Sequence, residues 1–284
     1  MRLHRLSVVC AFLALAPAAA QEPAFDVASI RPTPSQSTQT SEIRPMPNGR
    51  FTATNTTPRS LILRAYGLVE SQLIGAPSWL NTEHYDIDAR TTAPADGPES
   101  LMPMVRGLLV ERFRLKAHTD ARELAAYALT FARRDRQLGS EIRPTQADCS
   151  HATTISVEEL RAAARDGWPP CGMAYTVSFV TSVPGGNNVK WRIRRSGVTV
   201  PALATFLQTA VDRPIVDQTS LEGRFDVEYS YMPQPATAGV ESVFGPDAPP
   251  LFVALEEQLG LKLEPRRMKV PVLVVDSIER PSEN

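Results

Sequence analysis

Beyond residue 20, three histidines, His84, His118 and His151, are the side chains of this sequence best suited to move protons near neutral pH. A serine or cysteine nucleophile would need one of them within hydrogen-bond reach, and a tight turn such as Gly-x-Ser-x-Gly commonly presents it. The sequence contains no such turn. His84 stands beside Glu83 just ahead of the alternating stretch YDIDA, His118 falls at an expected strand end, and His151 lies two residues past Cys149. Two acidic pairs, Asp86 with Asp88 and Asp226 with Glu228, have the residue types of a general acid and base. Their spacing on a strand puts both members on one side, and a solvated face is the expectation. Glu256-Glu257 reads as helix surface, and Gly185-Gly186 lacks the lysine and helix start of a phosphate cradle. No catalytic residue, cofactor or metal ligand is therefore expected.

The remaining chemistry belongs to cysteines and aromatic rings. Cys149 and Cys171 are the two cysteines beyond residue 20, and Cys10 falls in an apolar leader, where it serves as hydrophobic filler. Export makes a disulfide the expected state of Cys149 and Cys171; a zinc site of Cys149, His151 and Cys171 is the alternative, although structural zinc usually takes four ligands. Tyr66, Trp79 and Tyr85 cluster in sequence and form a candidate binding platform, against which core packing has to be weighed.

The elements that must position these residues follow from periodicity. Arg2 and Arg5 precede an apolar run, Leu6 to Ala16, and the small-residue pattern Ala18-Ala19-Ala20. This reads as a signal peptide over residues 1–20, cleaved after Ala20, and the run is too short to span a bilayer. The chain has 43% hydrophobic and 21% charged residues and a net charge of −1, a globular balance without a nucleic-acid footprint. Its 25 prolines gather between periodic stretches, where they mark loops. Helices are expected to start near Pro58 and Pro201, and the stretches YDIDA (85–89) and FDVEY (225–229) alternate as half-buried strands. Leu115-Lys116 recurs as Leu261-Lys262 after a second helix pattern, so one order of elements runs twice. The expected fold class is α+β: two repeated strand-helix-strand, helix-strand-strand units over residues 50–144 and 190–284. An N-terminal strand and a Pro/Ser/Thr-rich linker over 21–49 precede them, and a cysteine-bounded insertion over 145–189 separates them. The insertion carries a capped helix pattern, Ser156 to Gly167, and ends in a hairpin turn at Pro184 to Asn188.

The phrases FDVASIRP, LILRAYGL, GAPSWL, YDIDA, LLVERFRLKAH, RPIVDQTSLEGRFDV, LEEQLGLKLEP and VLVVDSIERP resemble a family of secreted proteins of unknown function from soil bacteria. In that family the domain also occurs fused to membrane zinc peptidases of the BlaR sensor type, which implies an extracytoplasmic input or docking role. This chain has no HExxH motif, so the peptidase half does not carry over. On the residues VTVPALATFLQTAVDRPIVDQTSLEGRFDVEYS and LFVALEEQLGLKLEP, each unit by itself is similar to the short N-terminal domain of secretins and TonB-dependent receptors, a periplasmic interaction module. The resulting expectation is an exported, non-enzymatic binding module whose partner is a protein or a cell-envelope ligand, with no nucleic acid and no membrane span. An extracytoplasmic hydrolase with dispersed catalytic residues is the alternative.

Overall fold

Two threonines start the helices that both halves of the chain share. Thr57 Oγ1 accepts from Ser60 N at 3.2 Å, Thr199 Oγ1 accepts from Ala202 N at 3.4 Å, and a proline follows each in the first turn. A missing N–H there costs no helical hydrogen bond. The computed structural model describes residues 23–34, 39–46, 49–93, 98–149, 167–183, 186–232 and 249–281. The leader, His151, the helix expected over 156–166 and the Pro184-Gly185 turn lie outside them.

The first half runs β1 (Val27–Pro32), β2 (Glu42–Pro45), β3 (Arg50–Thr56), α1 (Pro58–Tyr66), β4 (Leu73–Ile74), α2 (Trp79–Thr82), β5 (Tyr85–Arg90), α3 (Met102–Arg112) and β6 (Lys116–Phe131). The second runs β7 (Ile142–Pro144), β8 (Ala174–Val183), β9 (Gly186–Val198), α4 (Val200–Val211), β10 (Ile215–Asp217), β11 (Phe225–Tyr231), α5 (Leu251–Ala254, prolonged by a wider π-wound turn, Leu255–Leu259) and β12 (Leu261–Ser277). Strands order as β1-β5-β3-β2 in one sheet and β7-β11-β9-β8 in another, with every neighbour antiparallel. Matching strands therefore occupy matching places. Several come from outside the unit they complete: β1 and β2 from residues 21–49, β7, which pairs with β11, from the end of the span expected for the first unit, and β8, which pairs with β9, from the cysteine-bounded stretch.

Where two strands are expected to close each unit, a single uninterrupted one is found. β6 and β12 pair antiparallel along their whole length, from Leu261 opposite Phe131 to Ser277 opposite Lys116. Each supplies the other's ladder, so neither needs to turn back on itself. β4 lies parallel to β12 with Leu73 opposite Leu273, and β10 lies parallel to β6 with Ile215 opposite Tyr127. Each half thus lends its short strand to the long strand of the other.

The burial pattern divides the molecule into two lobes. In the first, Phe51, Leu61, Ile62, Leu109 and Phe113 pack with Leu273 and Val275 from the end of β12. In the second, Leu203, Leu207, Val227, Tyr229 and Leu255 pack with Leu129 from the end of β6. Between these cores every residue of β6 from Asp120 to Glu123 is exposed, while Val270 and Val272 opposite them on β12 stay buried.

A bulge is repeated at the ends of β3 and β9. The register slips between Ala53 and Thr56, and again opposite Phe225 and Val227. Inside each slip one residue is left-handed, Asn55 with φ 47° and Gly197 with φ 62°, a region that asparagine and glycine enter most readily. Its N–H goes to an aspartate on the next strand: Asn55 N donates to Asp86 Oδ1 at 2.8 Å, and Gly197 N to Asp226 Oδ1 at 3.1 Å. This corrects the solvated reading of Asp226, which is buried and also accepts from Ser196 Oγ at 2.8 Å. The Cys149–Cys171 disulfide, with Cα atoms 5.4 Å apart, packs on the same bulge at Gly197. Both thiols are used in that bond, so the zinc alternative has no thiolate ligand.

Candidate functional site

The register of β9 against β11 sets Trp191 opposite Tyr231, and their rings meet edge-on with centres 5.7 Å apart. Beyond them α4 contributes Phe206, β6 contributes Tyr127, and α5 contributes Phe252, whose ring lies 5.4 Å from that of Tyr127. Arg213, just after α4, holds its guanidinium 5.5 Å from the Tyr127 ring centre. These residues wall a groove of about 750 Å³ in the second lobe. Arg213 is its only charged lining residue, and no histidine, cysteine or carboxylate faces it among the described residues. Burial pushes the Tyr231 hydroxyl above its ordinary value, so it remains a neutral donor through the physiological range. Flat apolar walls with one cation suit the capture of an aromatic or apolar group that carries an anion.

A second concavity, of about 510 Å³, lies on the outer face of the sheet β1-β5-β3-β2. Its walls are charged. Arg50 donates to Asp88 through Nε at 3.1 Å and Nη2 at 2.7 Å. Those hydrogen bonds hold the Asp88 carboxyl below the usual carboxylate range.

The aromatic residues expected to form a platform divide between two environments. Tyr85 is buried, edge-on to Phe113 at 5.6 Å, and its hydroxyl donates to Glu83 at 3.0 Å. Burial first, and Glu83 second, push that hydroxyl up to about 12. Trp79 is half-buried beneath Arg280, whose guanidinium lies 5.0 Å from the ring centre and clamps Glu83 at 2.6 Å. Trp79 and Tyr85 are thus brought together through Glu83, whereas Tyr66 lies under Arg106 at 5.6 Å. His84 Nδ1 is 3.2 Å from Thr82 O, and His118 Nδ1 is 3.0 Å from Asp276 at the exposed side of the ribbon. No group of three or more His, Cys, Asp or Glu side chains is placed to hold a metal among the described residues.

The groove residues were not singled out by sequence reasoning. Alternation in WRIRR and VEYSY places Trp191 with Ile193, and Tyr229 with Tyr231, on one face each; only the register brings those faces together. Tyr127 and Phe252 add a contact across more than a hundred residues that no local pattern announces.

Residues 59–278 match the model of a family described as a protein of unknown function, DUF3738. No curated protein and no solved structure matches the chain.

Proposed function

We propose, for a chain that belongs to the DUF3738 family, that it is an exported binding module whose ligand enters the aromatic groove of the second lobe. The observation that carries this reading is the groove's lining: five aromatic rings and Arg213, with threonine the only hydroxyl residue besides the tyrosines among the described residues. Nucleophilic catalysis needs an activating base beside the nucleophile, and the lining offers none, whereas stacked and edge-on rings supply affinity without chemistry. Export is supported by the leader pattern and by a disulfide, which persists in oxidising compartments. No helix among the described residues is long and apolar enough to cross a membrane. The module is read as a relative of an extracytoplasmic sensor input domain.

Anilinonaphthalene sulfonate, an aromatic ring system bearing an anion, is a direct probe. Titrated into the folded protein, it should bind at one saturable site, and Trp191→Ala and Arg213→Ala should each weaken that binding at least about fivefold. Unchanged binding in both variants, with their melting temperatures intact, would sink the groove reading.

A further inference from the structure

We propose that the outer face of the sheet β1-β5-β3-β2 is a second docking site, independent of the groove, for a tryptophan side chain carried on an extended segment of a partner protein. The chain supplies its own precedent. In the second lobe the matching face is occupied by Trp168, which has the Arg143 guanidinium 4.7 Å and the Arg194 guanidinium 5.9 Å from a ring centre. Arg194 also fixes the segment that carries the ring, donating from Nη1 to Gly167 O at 3.0 Å.

Backbone pairing identifies the matching positions. Arg143 stands opposite Asp226, and Arg194 opposite Glu228. In the first lobe Arg31 stands opposite Asp86, and Thr52 opposite Asp88. The local sequences agree, Ser29-Ile30-Arg31-Pro32 against Glu141-Ile142-Arg143-Pro144. The seat of the indole therefore maps onto the space between Arg31 and Thr52, and the concavity of about 510 Å³ is lined by both.

Three observations favour a ring from outside. Asp88 is satisfied by Arg50, and Asp86 accepts from Asn55 N and from Thr33 Oγ1 at 3.0 Å, while Arg31 pairs with no carboxylate among the described residues. Its guanidinium plane is thus open to an aromatic face. Thr52 is shorter than Arg194, so the guanidinium that meets Asp88 comes from Arg50 instead and the space above Thr52 is left open. The connecting segments 33–41, 46–49 and 91–101 contain no aromatic residue, and the two rings of segment 57–84 lie elsewhere, Tyr66 against Arg106 and Trp79 against Arg280, so no ring of the described residues lines this face.

The test uses the chain's own occupant as probe: a synthetic peptide with the sequence of residues 167–170, Gly-Trp-Pro-Pro, capped at both ends. Titrated into the isotope-labelled mature protein, it should move the amide resonances of Arg31, Thr52 and Asp88 in a saturable way. Arg31→Ala should weaken binding about three- to tenfold, and Thr52→Arg, which restores the second cation, should strengthen it by a similar factor. Shifts confined to the surroundings of Trp191 would assign the peptide to the groove and overturn this site while leaving the binding function standing. Shifts at Arg143 alone, from exchange with Trp168, would overturn it, as would affinity that neither variant changes or the absence of any saturable shift.

Discussion

Glu83 ties together segments that lie far apart in sequence. Arg280 donates to it through Nε at 2.9 Å and Nη2 at 2.6 Å, and Tyr85 donates from its hydroxyl. Hydrogen bonding from Arg280 holds its carboxyl below the ordinary value. A carboxylate whose folded value is depressed stabilises the protein above its unfolded value, about 4.3 for glutamate, and that contribution is lost as pH falls through the folded value. Glu83→Gln should therefore lower the melting temperature at neutral pH, and the gap to wild type should close below about pH 4. Because the pair is partly exposed, the effect should stay within about 1 kcal/mol. Melts recorded at several pH values check this; a gap that persists in acid contradicts it. Gly197 is a sharper case. An added Cβ would meet both sulfurs of the disulfide at a left-handed φ. Gly197→Ala should cost more in the oxidised protein than in a Cys149→Ser, Cys171→Ser background, where only backbone strain of about 1–2 kcal/mol remains. Equal costs in the two backgrounds, measured by denaturant unfolding, would show that the contact is relieved elsewhere.

Truncation tests how the elements are shared between lobes. Removing residues 271–284 deletes Leu273 and Val275 from the first core, each worth about 1.5–3 kcal/mol when buried. It also deletes the partner of β4 and the hydrogen bond from Glu279 N to Phe113 O at 2.7 Å. Hydrogen exchange should then lose protection in α1 and α3 of the first lobe while α4 and β11 keep theirs. The opposite pattern would mean that the lobes are built otherwise. Much at this scale was legible: the starts of α1 and α4 from their prolines, and β5 and β11 from strict alternation. The crossed pairing was not. β4 and β10 are two and three residues long, too short to show a period. Alternation along β6 fades where successive residues are exposed, so nothing local fixed its partner. The i,i+2 spacing did place Asp226 beside Glu228, but it could not reveal that a bulge closes over it through Ser196 and Gly197.

At the scale of the whole molecule, the disulfide bounds only the second lobe. Its two cysteines are 22 residues apart, a closure worth roughly 3 kcal/mol in the chain-entropy account. Reduction should lower the stability of the second lobe selectively, so that environment changes at Trp191 precede those at Trp79 in a denaturant titration. Coincident transitions under reducing conditions would show that the ribbon makes the lobes one cooperative unit. Aromatic positions could be read as strand faces in the sequence, but the groove itself is a product of tertiary register, which is why Tyr66, Trp79 and Tyr85 attracted notice and Trp191 did not. The long ribbon also sets a distance. β1 and the last described residues, through Arg280, belong to the first lobe, while Tyr127 at the groove lies ten residues along β6 from Ala117. At about 3.3 Å per residue that is roughly 33 Å of strand. The paired strands act as a ruler, holding the recognition surface at a fixed remove from any attachment made near either end, so that a tethered copy would present its groove outward.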